Sequence, residues 1–279
     1  MLSYLVLKKG LTSIMNVRQH ISILFRLSRL REYFLHLFLI PLLILLISPQ
    51  NFLSFKTIII YLANLFLTAF TYAINDVEDA EDDYQDFKKR NRNIISNGMI
   101  SKKWGYVITF SFLFIGLILL FLLNRLVFAV GLLLSVNSFF YSWKKLRLKS
   151  IPILDLVSHA TCLGVLQFLT TYLTFNPLDS QIIPFLIMII PFSASCQISQ
   201  QLRDFKIDKK TKINNTSQLI GKKISMALIY YLCIIFTIGF VAIDLNKFIV
   251  LSPFALLSSL FYFRLRHHLP LSPFPYLKK

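Results

Sequence analysis

Eight long apolar segments, separated by short polar breaks, restrict this chain more than any other feature. They cover 30–47, 58–74, 105–123, 126–143, 153–175, 182–200, 224–243 and 248–263. A helix needs about 20 mostly apolar residues to cross a bilayer, and lipid offers exposed backbone groups no partners, so such segments fold as spanning helices. Turn residues punctuate them at Ser48-Pro49, Asn124-Arg125, Ser150-Ile151-Pro152, Asn176-Pro177 and Asp244-Leu245-Asn246. Charged residues make up only 15% of the chain, against about 25% in soluble domains. The expectation is an all-α polytopic membrane bundle of eight helices, with nine as the alternative. Residues 1–29 form an interfacial lead-in, 30–265 one transmembrane domain and 266–279 a short tail.

The net charge of +17 would suggest nucleic acid in a soluble protein, but here its distribution follows topology. Of the 30 Lys and Arg, 27 lie in the two tails or in the loops after the second, fourth and sixth segments; the alternate loops hold only Lys56, Arg125 and Lys247. The positive-inside rule therefore puts both termini and all long polar loops in the cytoplasm, and no nucleic-acid partner is expected. Met1 to Leu7 is followed rather than preceded by Lys8 and Lys9, the reverse of a secretory signal. From Val17 to Arg31, Arg18, Arg26, Arg29 and Arg31 alternate with apolar residues, the pattern of a basic amphipathic helix on an anionic lipid surface. Cys162, Cys196 and Cys233 lie inside apolar segments and imply neither a disulfide framework nor a zinc site.

Seven of the thirteen Asp and Glu fall between Ile74 and Asp86, directly after the second segment. On a helix Asp76, Asp79, Asp83 and Asp86 lie within about 80° of one another. Carboxylates so placed are either screened by solvent or gathered around a hard divalent cation such as Mg²⁺. A second group, Asp204 and Asp208, follows the sixth segment at i,i+4 and continues a face begun by Gln197 and Gln201. Asn64, Thr68, Thr71 and Asn75 make a similar polar stripe leading to the first group. Polar residues in a span face the bundle interior. Interhelical hydrogen bonding explains the amides and hydroxyls, but not the carboxylates that end both stripes.

The two groups stand four segments apart, and each is followed by basic residues (Lys88-Lys89-Arg90, Lys209-Lys210) and then a glycine (Gly98, Gly221). A four-helix unit used twice in parallel orientation accounts for this spacing. Two acidic clusters at one mouth could hold Mg²⁺ bridging a diphosphate, with Lys and Arg neutralising the remaining charge. Ionisation of an allylic diphosphate is the chemistry this favours, the carbocation resting against aromatic faces.

The stretch Asn75-Asp76-Val77-Glu78-Asp79-Ala80-Glu81-Asp82-Asp83 is similar to the N-D-x-x-D-x-x-x-D signature of the UbiA superfamily of membrane prenyltransferases, and Asp204 and Asp208 match its second D-x-x-x-D. Residues Asn91 to Ser101 resemble its N-R-P-I-x-S-G-x-I-S stretch, and Tyr141-Ser142 with Leu146-Arg147-Leu148-Lys149 continues the likeness. The resemblance implies that Asp76, Asp79, Asp83, Asp204 and Asp208 are catalytic ligands of Mg²⁺ and diphosphate. It assigns Asn75, Arg92, Tyr141, Arg147 and Lys149 to substrate binding. The implied partners are a polyprenyl diphosphate and a lipophilic or aromatic acceptor, within membrane lipid. Rivals are a terpene cyclase on the same scaffold and a cation-binding transporter or structural membrane protein.

The chain departs from the family pattern at Asn93, where Pro is usual, and by an extra residue between Ser96 and Gly98. Members usually have nine spans, and Pro270, Pro273 and Pro275 interrupt the stretch beyond Phe263. Glu78, Glu81, Asp82 and Asp86 fall outside the motif and are expected on a solvated face. Asp155 and His159 are an i,i+4 pair in the fifth segment. Asp155 suits the helix dipole there, with acceptor handling as the functional alternative for the pair. No role is expected for His20, His36, His267 or His268.

Overall fold

The computed structural model describes residues 17–211 and 213–242, and all of their regular structure is helical. The eighth apolar segment (248–263), the Asp244 break and the two chain ends lie outside the described residues. The helices are α1 (Val17–Leu27), α2 (Leu30–Ile47), α3 (Phe55–Asp83), α4 (Phe87–Arg92), α5 (Lys102–Leu123), α6 (Arg125–Ser142), α7 (Leu154–His159), α8 (Gln167–Phe175), α9 (Ile182–Lys210) and α10 (Thr216–Ala242). A π-helical turn, Ala160–Leu166, joins α7 to α8. With α7 to α8 as one span, seven helices are long and apolar enough to cross a membrane.

Local chemistry sets the helix ends. Ser54 caps α3 by accepting from the Thr57 N–H, Ser101 caps α5 through Trp104, and Asn124 caps α6 through Val127. Inside the bundle Ile60, Leu67, Leu120, Leu134, Phe168 and Phe185 form the main core. Phe114, Ile118, Leu122, Leu133 and Ile234 stay exposed on its outer surface, where lipid would cover them. Along α3 the polar stripe is built into the packing. Asn64 donates to Thr171 at 3.3 Å, Gln167 donates to Thr68 at 2.9 Å, and the Thr71 and Ser138 hydroxyls meet at 2.8 Å. These bonds tie α3 to α8 and α6 where no water competes.

Two helices outrun their apolar segments. At 29 residues each, α3 and α9 reach roughly 43 Å at 1.5 Å per residue, well beyond a hydrocarbon core of about 30 Å. The second apolar segment ends at Ile74, yet the helix continues unbroken to Asp83. The surplus turns carry the carboxylates. After α9 the chain re-enters the bundle through Thr216 and breaks at Gly221, whose φ of 77° suits only glycine without strain. Gly239 lets α10 approach α9 closely, since a Cβ there would sit 2.6 Å from the Met188 nitrogen.

The lead-in is amphipathic as expected, but it folds against the bundle. Ile23 and Leu27 are buried with Ala69, Phe70, Ala73 and Ile74 of α3, while Ile21, Leu24 and Phe25 face outward. α1 ends before Arg29, whose left-handed backbone (φ 53°) turns the chain into α2.

Candidate active site

The C-terminal turns of α3 and α9 come together at one end of the bundle, and every aspartate of the two groups meets a basic or amide side chain. An Arg29 Nη1 lies 3.4 Å from Asp76 Oδ1, while the same guanidinium pairs with Glu32 and stacks on the Tyr72 ring with 5.1 Å to its centroid. Asp79 accepts from Arg147 Nη2 at 2.9 Å and pairs with Lys149. Lys149 also donates to Asn75 Oδ1 at 2.9 Å. Asp83 accepts from Asn93 Nδ2 at 3.0 Å, with an Arg92 Nη2 3.9 Å away. On α9, Asp208 accepts from Asn215 at 2.9 Å, and Asp204 stands 3.6 Å from Arg203 Nε.

Lys89 joins the two groups. From α4 its Nζ reaches within 3.8 Å of Asp204 and 3.9 Å of Asp208, and its charge also acts on Asp79 and Asp83. Asp86 sets α4 in place by accepting from the Lys88 and Lys89 N–H groups. The basic loop after α6 closes another side. Arg147 takes a left-handed backbone (φ 46°), which disfavours a side chain by roughly 1–2 kcal/mol. Its guanidinium is held there by Asp79 and by Asp82 at 2.7 Å. Burial opposes the Arg147 charge, but Asp79 and Asp82 outweigh it and hold the group above the usual arginine value. At Lys149 burial wins over the pull of Asp79, and the ammonium sits below the usual lysine value.

Two residues of the acidic run are not where a solvated face would put them, and a third, Asp86, leaves the face that spacing gave it. Glu78 is buried and accepts from the Tyr106 hydroxyl at 2.6 Å and the Lys144 N–H at 3.1 Å, so it anchors the basic loop to α3. Asp82 is half-buried against Arg147. Asp86 does not share the face of Asp76, Asp79 and Asp83, because α3 ends at Asp83 and Asp86 begins the next helix. Glu81 keeps its solvated position, bridged by Lys102 and Lys144.

Asp155 is fully buried and accepts from Gln201 Nε2, the Thr216 N–H and hydroxyl, and the Leu156 N–H. It joins α7, α9 and α10, more than a helix-dipole partner would. His159 points elsewhere, with its Nδ1 3.2 Å from the Ser193 hydroxyl. Tyr141 accepts from Gln197 Nε2 at 2.6 Å, deeper in the bundle than the aspartates.

Arg29, Glu32 and Asn93 belong to the site although no motif assigns them to it. Arg29 is hidden in an amphipathic pattern that explains arginines by lipid. Asn93 stands out only as a departure from a motif. Its amide is fully buried and donates to both Asp83 and the Asp76 carbonyl, while its Oδ1 accepts from the N–H groups of Ile95 and Ser96.

Five carboxylates at one mouth supply hard oxygen donors, the type a divalent cation such as Mg²⁺ takes. Among the described residues no three His, Cys, Asp or Glu converge as a ready cluster; the aspartates are turned towards Arg, Lys and Asn instead. The donor chemistry fits a metal, and the Arg and Lys heads between the clusters fit a diphosphate.

Fold and site together define a polytopic helical membrane protein with an acidic pair of helix ends at one mouth. A model of the UbiA prenyltransferase family matches residues 37–273, and the chain belongs to that family. No curated protein matches it in sequence. Among solved structures, a UbiA homologue from Archaeoglobus fulgidus bound to GPP and Mg²⁺ is similar with a TM-score of 0.70 and 22% identity, covering 90% of this chain and 91% of that one. The same homologue bound to DMAPP and Mg²⁺ gives 0.68 and 20%, covering 88% and 87%. A digeranylgeranylglyceryl phosphate synthase gives 0.61 and 18%, covering 86% and 88%.

Proposed function

We propose that the protein transfers a prenyl group from a polyprenyl diphosphate to a lipophilic or aromatic acceptor, with Mg²⁺ bound between Asp76, Asp79 and Asp83 on one side and Asp204 and Asp208 on the other. The observation that carries this is the Lys89 bridge. One ammonium in reach of both α9 aspartates, carried by the short helix α4 that directly follows the α3 aspartates, supports the reading that the two groups share one mouth. Family membership supports the reaction class, and the Archaeoglobus homologue binds GPP and Mg²⁺.

When bound, Mg²⁺ supplies charge that stabilises the departing diphosphate. Arg92, Arg147 and Lys149 contact that diphosphate, and Asn75 steers Lys149. Basic groups already gathered at the mouth need little rearrangement to meet developing charge. Positive-inside counting supports a cytoplasmic mouth and cytoplasmic termini. The parallel, equally long α3 and α9, each carrying aspartates in its last turns, support a repeated unit of four helices.

Purified protein incubated with labelled geranylgeranyl diphosphate, Mg²⁺ and an acceptor panel should form acceptor-dependent labelled lipid. Asp76→Asn and Asp204→Asn should each lower turnover at least about 100-fold, in the range seen when one transition-state charge partner is removed, while both variants remain folded in detergent. Full activity in either variant would overturn the two-cluster mechanism. Acceptor-independent hydrocarbon would mark a cyclase instead.

A further inference from the structure

The acidic side chains from Asp76 to Asp83 divide between two faces of α3. At 100° per residue Asp76, Asp79 and Asp83 lie within about 60° of one another, and Glu78, Glu81 and Asp82 within about 100° on a different face. Every member of the second face holds the basic loop after α6. Glu78 accepts from the Lys144 N–H at 3.1 Å, and Glu81 pairs with Lys144 Nζ. Asp82 accepts from Arg147 Nη2 at 2.7 Å, with Lys144 Nζ 3.9 Å away. The loop is gripped by its backbone at one end and by its side chains along its length. Glu78 is only 3% exposed, with its other oxygen taken by the Tyr106 hydroxyl at 2.6 Å. Burying a carboxylate is unfavourable unless its partners offset the lost hydration, and those partners are the loop and α5.

Asp79 has two claims on it. As a metal ligand it must turn to the cation, yet here it accepts from Arg147 Nη2 at 2.9 Å and pairs with Lys149. Each of these cations has a second tether outside the five metal-binding aspartates. Arg147 Nη2 is shared with Asp82, and Lys149 Nζ donates to Asn75 at 2.9 Å. Among the described residues the buried Arg147 Nε has no hydrogen-bond partner. Buried donors left without one are rare, and this one stays open to an incoming oxygen.

Resting on the prenyl transfer proposed above, we propose that Glu78 and Asp82 are positioning residues, which keep Arg147 aimed at the diphosphate once Asp79 turns to the metal. Glu78 fixes the start of the loop through the Lys144 N–H. Asp82 retains Arg147 as Asp79 lets it go. Neither touches metal or diphosphate. With one nitrogen held by Asp82, the guanidinium presents Nε and the rest of its planar fork, the geometry that suits phosphate oxygens.

The test measures binding of labelled geranylgeranyl diphosphate to the full-length protein in detergent, with Mg²⁺ and no acceptor, beside melting temperatures. Asp82→Ala should weaken binding about tenfold, as expected for one lost hydrogen bond to a charged group. Asp82→Asn keeps an acceptor oxygen and should recover part of the loss. In an Arg147→Ala background Asp82→Ala should have no further effect, because residues that act through one contact are not additive. Half-saturating Mg²⁺, measured at saturating prenyl diphosphate, should stay within about twofold of wild type. Glu78→Gln, which still accepts from the Lys144 N–H, should bind more tightly than Glu78→Ala; should Glu78→Ala not fold, the half-buried Asp82 series decides alone. Wild-type affinity in Asp82→Ala, an equal loss in the Arg147→Ala background, or a raised Mg²⁺ requirement would overturn the positioning role and leave prenyl transfer standing. Wild-type protein without Mg²⁺-dependent binding of the prenyl diphosphate would overturn both.

Discussion

Asn93 holds Asp83 in place and ties it to the backbone of α3. Proline at this position could not donate to the carboxylate, whereas the asparagine amide reaches Asp83 and the Asp76 carbonyl together. Replacing it with alanine leaves part of a buried carboxylate without a donor and takes the extra, non-helical donor from the Asp76 carbonyl, at about 1–3 kcal/mol. Asn93→Ala should therefore raise the half-saturating Mg²⁺ concentration by roughly tenfold, since about 1.4 kcal/mol is one decade. A Mg²⁺ titration of prenyl diphosphate binding, independent of turnover, checks this. An unchanged titration curve would make Asn93 purely structural. At this scale the sequence was legible where a motif spoke and silent where a contact depends on the return of a loop. Spacing puts Asp76, Asp79, Asp83 and Asp86 on one face and pairs Asp204 with Asp208, and only the resemblance leaves Asp86 out. Glu78 looks identical to Glu81 on paper, yet one is buried against Tyr106 and the other is bridged in solvent. Only the crossing of α3 with α5 and the basic loop separates them.

Among the elements, α9 and α10 depend on a polar clasp more than on a cap. Asp155 gathers Gln201 from α9 and Thr216 from α10 around one carboxylate. Asp155→Ala should destabilise the fold by about 3 kcal/mol or more, as several charge-assisted bonds are lost and their donors stay buried. Asp155→Asn should recover part of that loss. Thermal melts of both variants in the same detergent measure the difference, and equal melting temperatures for wild type and Asp155→Ala would refute the clasp. The spans themselves were legible, because hydropathy and the roughly 20-residue requirement act locally. Their ends were not: the polar turns of α3 and α9 are helical by continuation, and the break in the fifth span into a π-turn at Ala160–Leu166 has no hydropathy signature.

For the molecule as a whole, the direction of the bundle in the membrane proposed from charge counting is open to a direct test. A single cysteine placed at Lys88 should be shielded from an impermeant maleimide in sealed cells, and one placed at Arg125 should be labelled, in a background without the native cysteines. The reverse pattern would turn the protein over. The same charges bear on how the site comes to exist at all. Asp76, Asp79, Asp83, Asp204 and Asp208 face Arg29, Lys149, Arg147, Arg92 and Lys89, cations supplied by the chain itself and shared in part with Glu32 and Asp82. Small metallodomains stay unfolded without their ion. Here the mouth carries basic side chains of its own beside the carboxylates, and the expectation is an assembly that does not wait for a divalent cation. Chelation with EDTA should abolish turnover yet move the melting temperature by no more than about 2 °C, less than 1 kcal/mol for a chain of this size. A mouth latched by its own charges in this way would stand ready before its cargo arrives.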